Sequence, residues 1–296
     1  MWLFQSGEGL SLLAALSWGA AIVCFKFVGD TMPPLALNLF KNVFGLLAIA
    51  LTLLWVNGPT WPFAESDAVW LLLSSGVLGI AIADTLLFQS LNILGASRSA
   101  IIDCLYSPFT VLFSFLILDE SLSLFTALGA LCILAGILVA GLKSSQERLP
   151  MRRLIEGALL GVVSMALMAM GLVMAKPVID AYPVLWTISL RMGAGTVALV
   201  LVTSLRKEWR REVRLAFTPN KVWGIALLGT FLGAYLSLIF WLAGVKATQV
   251  MTAAILNQMS TLFVVLFAAW FLGEALSLKK GVAVVLGVAG SVLALL

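Results

Sequence analysis

The sequence predicts an all-α integral membrane protein of ten transmembrane helices, arranged as two inverted five-helix repeats. Three observations predict it: an apolar composition beyond that of soluble domains, ten apolar windows of membrane-spanning length, and an internal duplication of charged and proline positions. Of 296 residues, 62% are hydrophobic and 11% charged, and mean hydropathy is +1.10. Soluble domains are nearer about half apolar and about a quarter charged. In lipid the backbone must satisfy its own hydrogen bonds, so only helices or a closed barrel can span it. The apolar runs are continuous and do not alternate with period two, which selects helices.

Apolar windows of about 20 residues place the helices at 9–29, 34–56, 69–92, 97–118, 122–142, 155–175, 183–204, 222–245, 249–272 and 277–295. The first run lacks a basic leader and reaches spanning length, so it is expected to be a membrane helix and not a cleaved signal. Pro33 and Pro34 split the first two spans. The short stretch from Leu91 to Ser99 separates the third and fourth. Glu120 and Glu274 open the fifth and tenth, where a carboxylate suits the positive end of a helix, so both are expected to cap their own helices. Pro183 opens the seventh, where a first-turn proline is tolerated. The glycines at Gly129–Gly136 and Gly287–Gly290 suggest close helix packing. Trp2, Trp55, Trp61, Trp70, Trp209 and Trp223 lie near span ends, where the bilayer interface favours them.

The duplication follows two fixed offsets. At 150 residues, Lys26 meets Lys176, Asp30 meets Asp180, Pro33 meets Pro183, Lys41 meets Arg191, Gly45 meets Gly195 and Gly79 meets Gly229. At 154, Asp103 meets Asn257, Glu120 meets Glu274 and Ser123 meets Ser277. The expectation is two units, residues 5–143 and 152–296, with four extra residues near the link between helices eight and nine. Because five is odd, the second unit must enter the membrane from the opposite side. Inverted repeats of this kind characterise many secondary transporters. Charge agrees with the count. Of 18 Lys and Arg residues, 13 fall in or at the edge of links after odd-numbered helices, one (Lys246) after an even-numbered helix, and four (Lys26, Lys41, Lys176 and Arg191) within or at the edge of spans. The positive-inside rule then places the odd links in the cytoplasm and both termini outside.

Leu16-Ser17-Trp18-Gly19, followed by Lys26, Pro33-Pro34 and Lys41, resembles the start of an EamA unit of the drug/metabolite transporter superfamily. Gly95-Ala96-Ser97, Pro108-Phe109-Thr110 and Asp119-Glu120-Ser121-Leu122-Ser123 resemble its close, and Gly273-Glu274-Ala275-Leu276-Ser277 repeats that ending. The chain departs from the family at Ser107, where an acid is frequent, and at Lys41, where arginine is common. Members are often assigned cytoplasmic termini, against the charge bias here. The resemblance implies a carrier of small metabolites, often an exporter of amino acids, related compounds or drugs. It also implies a cavity lined by helices one to four and six to nine, with five and ten peripheral, in the bacterial inner membrane.

Charges inside a span are costly, about 2.5–3.5 kcal/mol each on insertion scales, so each needs a partner, water or a function. Asp84 and Asp103 are candidates for proton coupling or for binding a substrate ammonium, against structural pairing as the plain alternative. Lys41 and Arg191 could bind a carboxylate, pair with those acids, or snorkel. Lys26 and Lys176, nearer span ends, are read as snorkelling. Asn257 and Gln258 are candidate cavity amides or interhelical bonds. Trp18, Tyr106, Tyr235 and Trp241 could stack on a solute or simply pack.

The expected function is therefore secondary transport of a small organic solute, an amino acid or related compound, by alternating access with proton coupling or exchange. No Walker motif is present, nor GxSxG, HExxH or any histidine; the alternatives are a membrane enzyme or a non-transporting component. Cys24, Cys104 and Cys132 lie in apolar runs without CxxC spacing and are read as buried apolar residues. No cofactor, metal or nucleic-acid partner is expected; the partners are solute and bilayer, and the oligomeric state is left open, a monomer included.

Overall fold

The computed structural model describes residues 6–57, 64–94, 99, 102–103, 105–120, 123–141 and 150–271, with positions 282, 285–286, 289–290 and 293. Among the described residues there is no strand. Six helical spans are long and apolar enough to cross a membrane: Gly7–Gly29, Pro34–Val56, Ser66–Leu94, Met151–Ala181, Val184–Ser204 and Trp223–Ala247. Shorter apolar helices follow the third and sixth of them. Most of the expected tenth helix, with Trp2, Trp61, Cys104, Glu274 and Gly287, lies outside the described residues.

Helix α1 (Gly7–Gly29) starts where the Ser6 hydroxyl accepts the Gly9 N–H at 3.1 Å, which satisfies one orphan donor of the first turn. Helix α2 (Pro34–Asn57) begins at the second proline, whose fixed φ suits a first helical position. The third span is α3 (Ser66–Gly76), a π-helical segment Val77–Ala83, and α4 (Asp84–Leu94). Helices α5 (Tyr106–Leu118) and α6 (Leu124–Gly141) close the first half. The second half runs through α7 (Met151–Ala181), α8 (Val184–Ser204) and α9 (Lys207–Ala216). Then come α10 (Trp223–Thr230), a second π segment Phe231–Ser237, and α11 (Leu238–Ala247), followed by α12 (Val250–Asn257) and α13 (Met259–Phe271).

The π segments place the repeat register. Val77–Ala83 and Phe231–Ser237 lie 154 residues apart. Gly79 therefore corresponds to Gly233, one turn beyond the expected Gly229. The four extra residues enter earlier than the expected link between helices eight and nine, in the link that holds α9. That basic stretch is itself a helix. Val213 and Phe217 pack against Leu39 and Leu199, the Phe217 ring lies 5.4 Å from Phe40, and Trp223 Nε1 donates to the Ala216 carbonyl at 2.8 Å. An apolar edge anchored on α2 and α8 with arginines on the other face makes an interfacial amphipathic helix.

Two spans are interrupted at matching places. Leu105 is a turn before α5, and Gln258 is a turn between α12 and α13. The expected continuous helices 97–118 and 249–272 are thus both broken just after Asp103 and Asn257.

The halves exchange contacts reciprocally. The Ser164 hydroxyl donates to the Ala83 carbonyl at 2.7 Å, and the Ser237 hydroxyl donates to the Ala14 carbonyl at 3.0 Å. These are equivalent positions with the units swapped. Along α1, Gly7, Ala14 and Phe25 meet Gly244, Ser237 and Gly229. Along α7, Gly157, Ser164 and Gly171 meet Ser90, Ala83 and Ser75. Both seams run antiparallel. Within the first unit α1 and α4 run parallel, with the Phe25 and Phe88 rings 5.5 Å apart and Gly29 against Asn92.

Two expectations change at helix ends. Lys26 and Lys176 do not simply snorkel: each pairs with the acid four residues on, Asp30 at 3.6 Å and Asp180 at 2.6 Å. Glu120 caps a helix of the other half. Its carboxylate accepts the Val250 and Met251 N–H groups at 3.0 and 3.2 Å, so a first-unit acid closes the N-terminus of second-unit α12.

Candidate functional site

A cavity of about 150 Å³ lies between the halves. Its walls come from α1, α2, the first π segment, α4, Asp103, α5, α7, α8, the second π segment, α11, α12, Gln258 and α13; among the described residues α6 contributes nothing. Nine of the ten residues singled out in the sequence line it: Trp18, Lys41, Asp84, Asp103, Tyr106, Arg191, Trp241, Asn257 and Gln258. Tyr235 does not. Its hydroxyl bonds the Thr52 hydroxyl at 2.8 Å and its ring stacks on Phe231, so it ties α2 to the second π segment.

One wall is a buried ion pair. Lys41 on α2 reaches Asp84 at the start of α4, and both residues are buried. The Lys41 ammonium also lies 5.6 Å from the Phe88 ring centre, a cation–π distance. The π segment just before Asp84 is held by a residue the sequence reading passed over. The Asn38 amide donates to the Ile80 and Ala81 carbonyls at 3.0 and 3.3 Å and to the Thr85 hydroxyl at 2.9 Å. A π turn shifts the backbone ladder and leaves carbonyls needing donors; Asn38 supplies one. Asn42 in turn donates to the Asn38 carbonyl and side-chain oxygens at 2.9 and 2.7 Å. Two amides four residues apart in an apolar helix were the available signal.

The opposite wall differs. Arg191 on α8 is 6% exposed, and its Nε has no hydrogen-bond partner. The other nitrogens of this guanidinium form no hydrogen bond or ion pair with a described residue, and its ionisable neighbours within electrostatic range are Tyr106 and Asp84. A Cβ on Gly76 would overlap the Arg191 carbonyl, so glycine there lets α3 touch the α8 main chain. Asp84 has its counterpart, 154 residues on, at Leu238. Leu238 lines the cavity too, but it offers Arg191 no charge.

Asp103 lies beside the interruption before α5. The Gln258 amide donates to its main-chain carbonyl at 3.3 Å, which joins the two broken spans across the cavity. Its carboxylate has no ion-pair partner among the described residues. A narrow second cavity of about 10 Å³ shares Trp18, Leu87, Asp103 and Ser260 with the first. Tyr106 and Trp241 meet edge-on at 6.2 Å, a favourable aromatic geometry. Met165, Met168 and Met192 supply adaptable apolar wall; in a chain this apolar nothing in the sequence marked them. Among the described residues no group of three or more His, Cys, Asp or Glu is arranged to hold a metal. The site can therefore hold a small solute between an unpaired cation, an unpaired acid, side-chain amides and an apolar floor.

The profile of the EamA-like transporter family matches residues 5–142 and 155–296, nearly the whole chain in two copies. An uncharacterized transporter of Bacillus subtilis, YoaV, is 31% identical over 134 residues, covering 44% of this chain and 45% of that protein. The chain thus aligns with less than half of that relative. An uncharacterized transporter of Clostridium kluyveri is 23% identical over 221 residues, covering 74% of this chain and 69% of that one. A crystal structure shares the fold with a TM-score of 0.78 at 17% identity, over 97% of this chain and 96% of its own.

Proposed function

The chain belongs to the EamA-like transporter family and is a multi-pass membrane transporter, and on that premise we propose that it moves a small organic solute through the central cavity by alternating access. The observation that carries the mechanism is the reciprocal, antiparallel packing of the first span of each unit on the third span of the other. Within the first unit those two spans run parallel. Antiparallel seams between units then support an inverted pair of five-helix repeats, ten spans in all. Two such units that differ slightly in shape can exchange shapes, which opens a shared site to one side and then to the other. The broken spans support the same reading, since discontinuous helices at a shared cavity are a recurrent way of building transporter sites.

The energy source is an ion gradient or exchange, because the sequence holds no nucleotide-binding loop. Asp103 is the coupling carboxylate of choice: it faces the cavity without an ion-pair partner, whereas Asp84 is committed to Lys41. Export and the bacterial inner membrane follow from the family resemblance, and the outside placement of both termini follows from the charge bias.

The test is flux. Purified protein in liposomes under an imposed pH gradient should accumulate a labelled amino acid from a broad panel, and Asp103→Asn should abolish the gradient response. Exchange that ignores the gradient would remove proton coupling and leave the carrier. Absence of net movement or exchange for the whole panel, with product chemistry instead, would overturn the proposal.

A further inference from the structure

The two units bring equivalent positions to the cavity wall, and the residues there differ, Asp103 against Asn257 and Asp84 against Leu238 among them. In the first, the base on the second span meets an acid on the third: Lys41 is neutralised by Asp84. In the second, Arg191 stands at the base position, while Leu238 stands at the acid position. Helix α11 packs on α8 as α4 packs on α2, so the position that supplies a carboxylate to the base in the first unit is apolar in the second, and a guanidinium nitrogen of Arg191 instead lies toward Gly79 of the first unit. An arginine guanidinium does not shed its proton in proteins. Arg191 is therefore a fixed charge, 94% buried by its 6% exposure, with Nε unpartnered, at a cavity wall. A buried charge left without a partner is strongly destabilising; the acid within electrostatic range of Arg191 is Asp84, which is bonded to Lys41, and Leu238 adds no charge.

We infer that Arg191 is the anchor for a carboxylate on the transported solute, the ligand taking the place that Asp84 holds in the other unit. The guanidinium is a planar fork of donors that matches a carboxylate through two parallel bonds. The acid of the same cavity, Asp103, has no ion-pair partner among the described residues and lies away from α8, so it can meet a proton or the solute's own cation. The apolar floor of Met165, Met168, Met192 and Leu238 then takes an aliphatic or aromatic remainder. This inference rests on the carrier reading for the word "transported", but the binding step is testable without flux.

Leu238→Asp tests it while leaving Arg191 in place: it writes the first unit's pair into the second and fills the anchor from within. The measurement is binding to purified full-length protein in detergent. The probes are labelled α-amino acids and aliphatic monocarboxylates, each beside its primary amide. The wild type should prefer acids to amides by about tenfold or more, the worth of a charge-assisted bond. Leu238→Asp should erase that preference, since it sets a carboxylate at the position where the first unit holds its own. Arg191→Lys should retain part of the preference. Equal binding of acids and amides by the wild type, or undiminished acid preference in folded Leu238→Asp, would overturn the anchor; so would failure of every acid to bind. Flux without acid preference would leave the carrier standing and remove the anchor. Acid binding without any flux would do the reverse.

Discussion

Lys41 and Asp84 put a stability question at the level of single atoms. Both are buried inside the bundle, and each is tolerable only because of the other. Removing one partner of a buried pair leaves a bare charge and costs about 3–5 kcal/mol, while removing both costs far less. Lys41→Met and Asp84→Leu should each lower the unfolding temperature in detergent markedly. The double variant should recover most of the loss. Equal loss in the double would show that packing, not charge, dominates there. These residues were legible in the sequence because a charge amid apolar residues needs a reason. Their partners were less so: Lys41 and Arg191 align at one offset, yet only one of them finds an acid. The difference lies at Leu238, a leucine among many. Tyr235 was marked as an aromatic within a span; a side chain's direction depends on helix rotation, and a π turn changes that rotation.

Close approach decides what each helix tolerates. Gly76 meets the Arg191 main chain so tightly that any Cβ must displace it, whereas nothing lies within 4 Å of a Cβ at Gly193. In a free helix interior, alanine is favoured over glycine by about 1 kcal/mol. Gly193→Ala should therefore leave thermal stability unchanged or raised. Gly76→Ala should lower it and weaken solute binding by pushing α8 out of register at Arg191. A neutral Gly76→Ala would mean that α3 and α8 can separate without penalty. Such contrasts are invisible to composition, which sees two glycines in apolar spans. The spans themselves were legible, because twenty apolar residues in a row have few other uses. The π segments and the turn at Gln258 were not: they arise where packing and polar partners such as Asn38 outweigh the local preference for regular helix. The amphipathic α9 was hidden by its charge, which reads as loop until its apolar edge is matched to Leu39 and Leu199.

At the scale of the whole molecule, the repeat predicts a topology that two positions can decide. Ser66, the first residue of α3, and Asn220, before α10, lie 154 residues apart and are both exposed. They are the same place in the two units. If the units are inverted, these residues face opposite sides of the membrane; if the units run the same way, they share a side. The basic link 206–221 assigns Asn220 to the cytoplasm, and inversion then puts Ser66 outside. With Cys24, Cys104 and Cys132 replaced by alanine, Ser66→Cys should react with an impermeant thiol reagent on intact cells. Asn220→Cys should react only after permeabilisation. Reaction of both from one side would contradict the antiparallel seams between α1 and α10–α11 and between α7 and α3–α4, and the rocking of one unit against the other would lose its basis. Reaction on opposite sides but reversed would keep the inversion and turn the molecule over. In that case the basic face of α9 would lie outside, against the attraction that anionic inner-leaflet lipids exert on clustered arginines. That force is why the expected orientation follows α9 and not the composition of the spans.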